Sequence, residues 1–267
     1  MTVDHDPRRP APALAGRTIL VTRRRAQASK LTAVLTELGA TVVEIPAIET
    51  IPPEDAGPLD RALRQLAAFD WVIFTSANAV RFTRERCDAM GARPDALLQG
   101  PGLAVVGPST AAALGECFPG AAPTLAPDKD FRAEGLIEAF ASLEVADLRV
   151  LLPSAEHARD VLPRALLARG AQVEVVIAYR TVAPPDLGEI LAARLTQGFD
   201  LALFASPSAV ENFTTAAGPR VRGLRVAVMG PVTEAAAREA GMDVRAVASP
   251  STVDGLILAA IRALPSS

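Results

Sequence analysis

The stretch Val72-Ile-Phe-Thr-Ser-Ala-Asn-Ala-Val80 returns 130 positions later as Ala202-Leu-Phe-Ala-Ser-Pro-Ser-Ala-Val210. Each copy runs from apolar residues into a serine and then into small helix-compatible residues, the pattern of a buried strand feeding a capped helix. A strand that is apolar on consecutive positions, with no polar alternation, is one covered by helices on both faces. Three further pairs keep the same order: Gly39-Ala-Thr-Val42 with Gly170-Ala-Gln-Val173, Val105-Val-Gly-Pro-Ser-Thr-Ala111 with Val228-Met-Gly-Pro-Val-Thr-Glu234, and Glu134-Gly-Leu136 with Asp254-Gly-Leu256. Along the chain the spacings are 131, 130, 123 and 120, drifting down as loops shorten. Duplication of a whole α/β domain leaves that trace. Two similar domains are expected, with any ligand between them.

Outward from these motifs the alternation continues. Short apolar or β-branched runs at 18–22, 41–45, 71–75, 103–106, 149–152, 173–178, 201–205, 225–229 and 244–247 predict strands, and periodic stretches such as 26–38 and 158–168 predict helices. Gly39 and Gly170 stand where helices end, Ser76 and Ser206 where they are capped, and Pro108, Pro207 and Pro231 where first turns begin. The class is α/β with mostly parallel sheets. Residues 1–14 contain Pro7, Pro10 and Pro12 without apolar periodicity, so they read as an unpacked tail, with the fold beginning near Arg17.

Of the 267 residues, 50% are hydrophobic and 21% charged, enough apolar material for one large core or two ordinary ones, which excludes disorder for most of the chain. The net charge of −3 supplies no global field for nucleic acid, so an anion site has to be local. No apolar run reaches the roughly 20 residues of a membrane-spanning helix, and the N-terminal residues place acids and prolines where a signal peptide has its apolar segment. A soluble, cytoplasmic protein is expected. Cys87 and Cys117 form no CxxC, and His5 and His157 fall in a tail and a loop, so neither a protein-bound metal nor thiol chemistry is expected.

GxGxxG, GxxxxGK[ST] and GxSxG are all missing, which argues against a dinucleotide, ATP or a hydrolase triad. What remains is hydroxyls, amides and a few larger polar groups. The Gly107-Pro-Ser-Thr110 and Gly230-Pro-Val-Thr233 loops read either as ordinary strand-to-helix turns or as anion sites built from first-turn N–H groups, extended by Thr110 and Thr233. Ser76 with Asn78, and Ser206 with Ser208, sit where ligands bind in open α/β sheets, although capping alone accounts for both serines. Tyr179, the only tyrosine, stands beside Arg180 at the end of the 173–178 strand, as a proton donor or as an amphipathic residue at a core edge. Arg23 after the first strand and Arg159 after its counterpart can each clamp a carboxylate or lie solvated. Arg24 and Arg25 are assigned to the surface.

Together Ile19-Leu-Val-Thr-Arg23, Phe74-Thr-Ser-Ala-Asn-Ala-Val80, Val106-Gly-Pro-Ser-Thr-Ala111, Glu134-Gly-Leu136, Gly170 through Tyr179-Arg180, Phe204-Ala-Ser-Pro-Ser208 and Met229-Gly-Pro-Val-Thr233 resemble the uroporphyrinogen-III synthase family, from about Arg17 to about Leu264. The departure is Pro153-Ser-Ala-Glu-His, where that family commonly has a glycine-rich or arginine-bearing loop. The resemblance implies two flavodoxin-like or Rossmann-like domains joined by a two-stranded antiparallel linker. Domain 1 would comprise 15–46 and 184–267, and domain 2 would comprise 47–183, with crossings near 46–51 and 179–184. It further implies cyclisation of hydroxymethylbilane to uroporphyrinogen III with loss of water and inversion of the last ring, without a cofactor; no long exposed apolar helix argues for an obligate partner, so a monomer is expected. Tyr179 would act at the departing hydroxyl, and Arg23, Ser76, Asn78, Thr110, Arg159, Ser206, Ser208 and Thr233 with neighbouring amides would bind carboxylates. Hydroxymethylbilane synthase would hand over this small-molecule substrate, with no nucleic acid or membrane involved. The rival expectation is a non-catalytic tetrapyrrole-binding or sensory module of the same fold.

Overall fold

A computed structural model describes residues 13–23, 25–92 and 100–264, with the side chains of 25–29 excepted. His5, Arg24 and the Arg25 side chain therefore lie outside the described residues. The elements run β1 (Thr18–Val21), α1 (Arg25–Glu37), β2 (Thr41–Glu44), β3 (Glu49–Ile51), α2 (Gly57–Arg64), β4 (Trp71–Phe74), α3 (Ala77–Ala89), β5 (Gly102–Val105), α4 (Pro108–Cys117), α5 (Ala133–Phe140) and β6 (Arg149–Ala155). They continue with α6 (Val161–Leu167), β7 (Gln172–Val182), α7 (Leu187–Arg194), β8 (Leu201–Phe204), α8 (Pro207–Ala217), β9 (Arg225–Val228), α9 (Pro231–Glu239), β10 (Asp243–Val247) and α10 (Val253–Ala263). The chain divides into two compact units, residues 1–49 with 182–267 (unit 1) and residues 50–181 (unit 2).

In unit 1 the sheet order is β10-β9-β8-β1-β2, and all four neighbouring pairs are parallel. Numbered within the unit this is the doubly wound order 2-1-3-4-5, whose switch point lies between β1 and β8. Side chains alternate cleanly through this sheet. Ile19, Val21, Leu201, Leu203 and Ala227 join one buried cluster with Leu31, Leu35 and Leu256 from α1 and α10. Leu20, Ala202, Phe204, Val226 and Val228 join the opposite one with Leu191, Val210 and Phe213 from α7 and α8. Helices on both faces explain why these strands carry no polar alternation.

Unit 2 has the order β3-β7-β6-β4-β5, parallel from β5 through β7. Val72, Phe74, Leu103, Val105 and Leu151 face one side, and Ile73, Ala104, Val150 and Leu152 the other. The two sheets correspond strand by strand: β4 stands for β8, β5 for β9, β6 for β1 and β7 for β2. Even β10 has a remnant, an isolated parallel bridge between Ala104 and Leu125. The motif spacings thus mark one sheet order used twice, entered by the chain at different strands.

Capping follows the sequence closely. Ser76 Oγ accepts from the Ala79 amide at 3.1 Å and Ser206 Oγ from Ala209 at 3.2 Å, while Pro108, Pro207 and Pro231 are each the first helical residue. Gly39 and Gly170 both have left-handed backbones, at φ 90° and 86°. Three expectations need correction. Leu14 is no part of an unpacked tail, because it is fully buried among Leu35, Leu38 and Leu264 and donates its amide to the Leu38 carbonyl; residues 1–12 lie outside the described residues. Helix α6 begins at Val161, later than residue 158, because β6 runs on to Ala155 and the next amide, Glu156, donates to the Tyr179 carbonyl. Strand β7 is eleven residues long, so Tyr179 and Arg180 lie inside it and not at its end.

Candidate active site

The carboxyl ends of β4, β5 and β6 gather most of the residues singled out in unit 2. Ser76 caps α3 from an extended backbone, φ −159° and ψ 150°, which turns its hydroxyl back over the strand end. There it lies 3.1 Å from the phenolic oxygen of Tyr179, a pair in which either group can donate. Phe82, one and a half turns along α3, stacks on the tyrosine ring with centroids 5.5 Å apart and planes 16° from parallel. Tyr179 is 7% exposed and belongs to the apolar cluster around Phe74 and Val176. The ring is core and the hydroxyl is hydrogen-bonded to Ser76, the arrangement of an amphipathic residue at a core edge. A register shift between Ser154 and Ala155 sets Ala155 opposite Tyr179, where β6 gives way to its loop.

In unit 1 the corresponding serines form their own pair, Ser206 Oγ to Ser208 Oγ at 3.2 Å. Asn78 and Ser208, both half-buried, are the second residues of α3 and α8. No second phenol exists: the 131-residue spacing sets Ile48 opposite Tyr179. In unit 1 a helix residue at the position of Phe82, Asn212, instead donates its side-chain amide to the Ala47 carbonyl at 3.0 Å.

Gly107 and Gly230 lead into α4 and α9, and both are closely covered. A side-chain carbon on Gly107 would come within 2.9 Å of Phe131 Cβ, and one on Gly230 within 2.8 Å of Ser251 Oγ. Gly230 also has φ 83° and ψ 171°, a conformation reserved to glycine. The threonines of these loops turn inward. Thr110 and Thr233 are 1% and 2% exposed, and Thr233 gives its hydroxyl proton to the Met229 carbonyl at 3.1 Å. The outward groups are the first-turn residues Ser109 and Val232, whose amides have no intrahelical acceptor.

A cavity of about 250 Å³ opens at this edge of unit 2, lined by Thr75, Val106, Phe131, Leu152, Ser154 and Arg159 among others. It sits beside the β4/β6 switch point, where an open α/β sheet binds ligands. Arg159 is exposed and meets Glu134 Oε1 at 3.2 Å. The first-turn amide of Glu134 itself, together with Arg159 and Arg132, holds the Glu134 carboxyl below the usual carboxylate range. Arg23 follows β1, half-buried, behind Thr22, whose hydroxyl donates to the Leu203 carbonyl at 2.8 Å and ties β1 to β8. The two thiols stand apart from this edge on α3 and α4; burial pushes both up, with Cys87 the more buried. The sequence reading singled out neither Phe131 nor Ser154, which line this cavity, nor Phe82, the stacking partner of Tyr179. Phe131 leaves a trace, as a lone aromatic in the charged run Asp128-Lys-Asp-Phe-Arg132.

Among the described residues no helix is long and apolar enough to cross a membrane. The family model described as uroporphyrinogen-III synthase HemD matches residues 29–258. A uroporphyrinogen-III synthase of Synechococcus elongatus is 35% identical over 92% of this chain and 95% of its own length. A putative uroporphyrinogen-III synthase of Methanothermobacter thermautotrophicus is 33% identical over 80% of this chain and 85% of its own. In three dimensions the chain resembles a crystal structure of a mutant uroporphyrinogen III synthase from the extremely thermophilic bacterium Thermus thermophilus. That likeness has a TM-score of 0.62 at 22% identity, covers 93% of this chain and 99% of that one, and speaks for the fold.

Proposed function

The chain belongs to the uroporphyrinogen-III synthase family, and from that premise we propose that it cyclises hydroxymethylbilane to uroporphyrinogen III as a hydro-lyase. One water leaves and the last pyrrole ring is inverted. The observation that carries the reading is the match of sequence along almost the whole chain to synthases of the same length.

The chemistry suits the groups at the sheet edges. Electron-rich pyrroles expel the terminal hydroxyl with little help, and the free bilane then closes without inversion. The protein's task is to hold the chain so that the substituted carbon of the last ring attacks, through a spirocyclic intermediate. Tyr179 is the proposed donor to the departing hydroxyl, supported by its hydrogen bond to Ser76 at a strand's carboxyl end. Ser76, Asn78, Ser206 and Ser208, with Arg23 and Arg159, are assigned to the acetate and propionate groups. Thr110 and Thr233 are assigned that role through their loops: both are buried, the Thr233 hydroxyl braces its turn, and the first-turn amides of Ser109 and Val232 lack intrahelical acceptors. The protein works as a cytoplasmic monomer receiving its substrate from hydroxymethylbilane synthase, and needs no cofactor.

The test supplies purified protein with enzymatically generated hydroxymethylbilane, oxidises the products and separates the type I and type III uroporphyrins. Predominant type III is expected. Type I at the rate without protein, from a folded sample, overturns the synthase reading in favour of a binding module.

A further inference from the structure

The unit 2 cavity is too small for a whole tetrapyrrole. Its volume of about 250 Å³ falls below the roughly 300–1,000 Å³ of pockets for drug-sized ligands, which matches one substituted ring. Its walls are of two kinds. Phe131 rests one side of its side chain against Gly107 and still leaves 49% of its surface exposed. Opposite in character are Ser154, 2% exposed, and Arg159, whose side chain is 65% exposed.

The two arginines near this cavity differ in availability. Arg132 is clamped by Asp130 through two hydrogen bonds of 2.7 and 2.8 Å. Arg159 meets Glu134 through a single N–H at 3.2 Å, and a guanidinium has five donors. Arg159 is thus the cation placed to take an arriving carboxylate. Phe131 has no aromatic counterpart in unit 1, where Ser251 covers Gly230 at the corresponding position. The loop of Phe131 is fixed from below: the Asp130 carbonyl oxygen sits where a side-chain carbon on Gly135 would be, 1.9 Å from it. Gly107 thus packs against the Phe131 side chain and Gly135 makes room for the backbone of the preceding residue, Asp130, while about half of the Phe131 surface stays exposed at the cavity.

We propose that this cavity seats one pyrrole ring of the bilane, with Phe131 as the stacking face and Arg159 and Ser154 receiving that ring's carboxylates. The proposal rests on the synthase reading and adds the ring-positioning residues to it. An electron-rich heterocycle gains from offset stacking on Phe131 beyond the area it buries. Phe131 is a positioning residue, so its loss weakens binding more than it slows the chemical step.

The experiment measures KM, kcat and isomer ratio for wild type, Phe131→Ala and Phe131→Trp, and titrates each with a monopyrrole bearing one acetate and one propionate while amide NMR shifts are followed. A rise in KM of about two- to twelvefold for Phe131→Ala is expected, the equivalent of an aromatic contact, with kcat nearly kept and Phe131→Trp restored. Saturable shifts should centre on Gly107, Phe131, Ser154 and Arg159 in the wild type. If the wild type makes type III product while Phe131→Ala keeps its KM, the ring seat is wrong and the synthase reading stands. If the wild type makes only type I, the synthase reading falls and the titration alone decides: shifts elsewhere, or none, overturn the seat. Phe131 is half-exposed, so an unfolded Phe131→Ala protein would itself contradict its reading as a face kept for ligand.

Discussion

Replacing Tyr179 by Phe removes one oxygen and keeps everything else that holds the ring. The stack on Phe82, at 5.5 Å, and the burial among Phe74 and Val176 persist. What is lost is the 3.1 Å contact with Ser76, a net contribution of about 0.5–1.5 kcal/mol. Ser76 Oγ retains the Ala79 amide, so the helix cap survives. The variant should therefore unfold only a few degrees lower, at roughly 2–4 °C per kcal/mol for a chain of this order of size. Catalysis should suffer far more. A positioned general acid contributes about 10²–10⁴ in rate, and because activated pyrroles assist their own ionisation, a loss near the lower end, about 10²-fold in kcat, is expected.

Stopped or continuous assays of bilane consumption, followed by isomer analysis, separate the possibilities. The residual product should remain type III, because the loops proposed to hold the carboxylates are untouched. Ser76→Ala should lower stability by about 1 kcal/mol through the lost cap. Combined with Tyr179→Phe it should cost less than the sum of the single effects, since both delete the same hydrogen bond. A folded Tyr179→Phe protein with wild-type kcat would refute the role given to the phenol and leave Tyr179 a core residue with a satisfied hydroxyl.

Two further outcomes concern stability. Gly135→Ala should gain about 1 kcal/mol from helix propensity, yet its new carbon would lie 1.9 Å from the Asp130 carbonyl oxygen, so urea titration should show a net loss of about 1–3 kcal/mol; equal or greater stability would mean that the loop yields freely. Asp60→Asn breaks the two-point pair with Arg86, whose guanidinium holds the Asp60 carboxyl below its ordinary value of 3.8. Because the folded value is depressed, the pair's contribution is complete above about pH 4 and fades as pH falls through the folded value. The variant should be about 1–3 kcal/mol less stable at neutral pH, less than for a fully buried pair because the Arg86 side chain is 36% exposed. That gap should close in acid; a gap independent of pH would mean that Asp60 acts through packing.

Local signals carried well from sequence to structure because they are satisfied locally. A serine three residues before an amide it can cap, a proline at a first turn and a glycine with positive φ are decided within a few positions, and Ser76, Pro207 and Gly170 behave accordingly. Features set by distant partners did not show. Leu14 is one apolar residue after a proline-rich run, and only its contact with Leu35 and Leu38 makes it core. Strand β7 outlasts its β-branched run because β6 and β3 lie on either side of it, which no window of β7 reveals. Phe131 acquires its meaning from Gly107, 24 positions earlier. The buried threonines show a further limit: a hydroxyl at the right place in a motif can still be spent inward, as Thr233 is on Met229.

The duplicated scaffold sorts the candidate residues by whether they were kept twice. Capping serines, Gly-Pro-x-Thr turns and the acidic-Gly-Leu helix starts exist in both units, and each is an element that offers hydroxyls or amides, or fixes the loop that does. The aromatic groups at the sheet edge do not: Tyr179 faces Ile48 in the alignment of the units, and Phe131 faces Ser251. A linear tetrapyrrole presents carboxylates on every ring, so donors repeated on two scaffolds match a repeated demand. The chemistry acts on one ring alone, losing one hydroxyl and inverting one set of substituents. Groups that belong to that event need exist only once, and two equal copies of them would favour no ring over another. Under the proposed reaction, the break in symmetry favours unit 2 for the reacting end of the substrate, in keeping with the roles proposed for Tyr179 and Phe131.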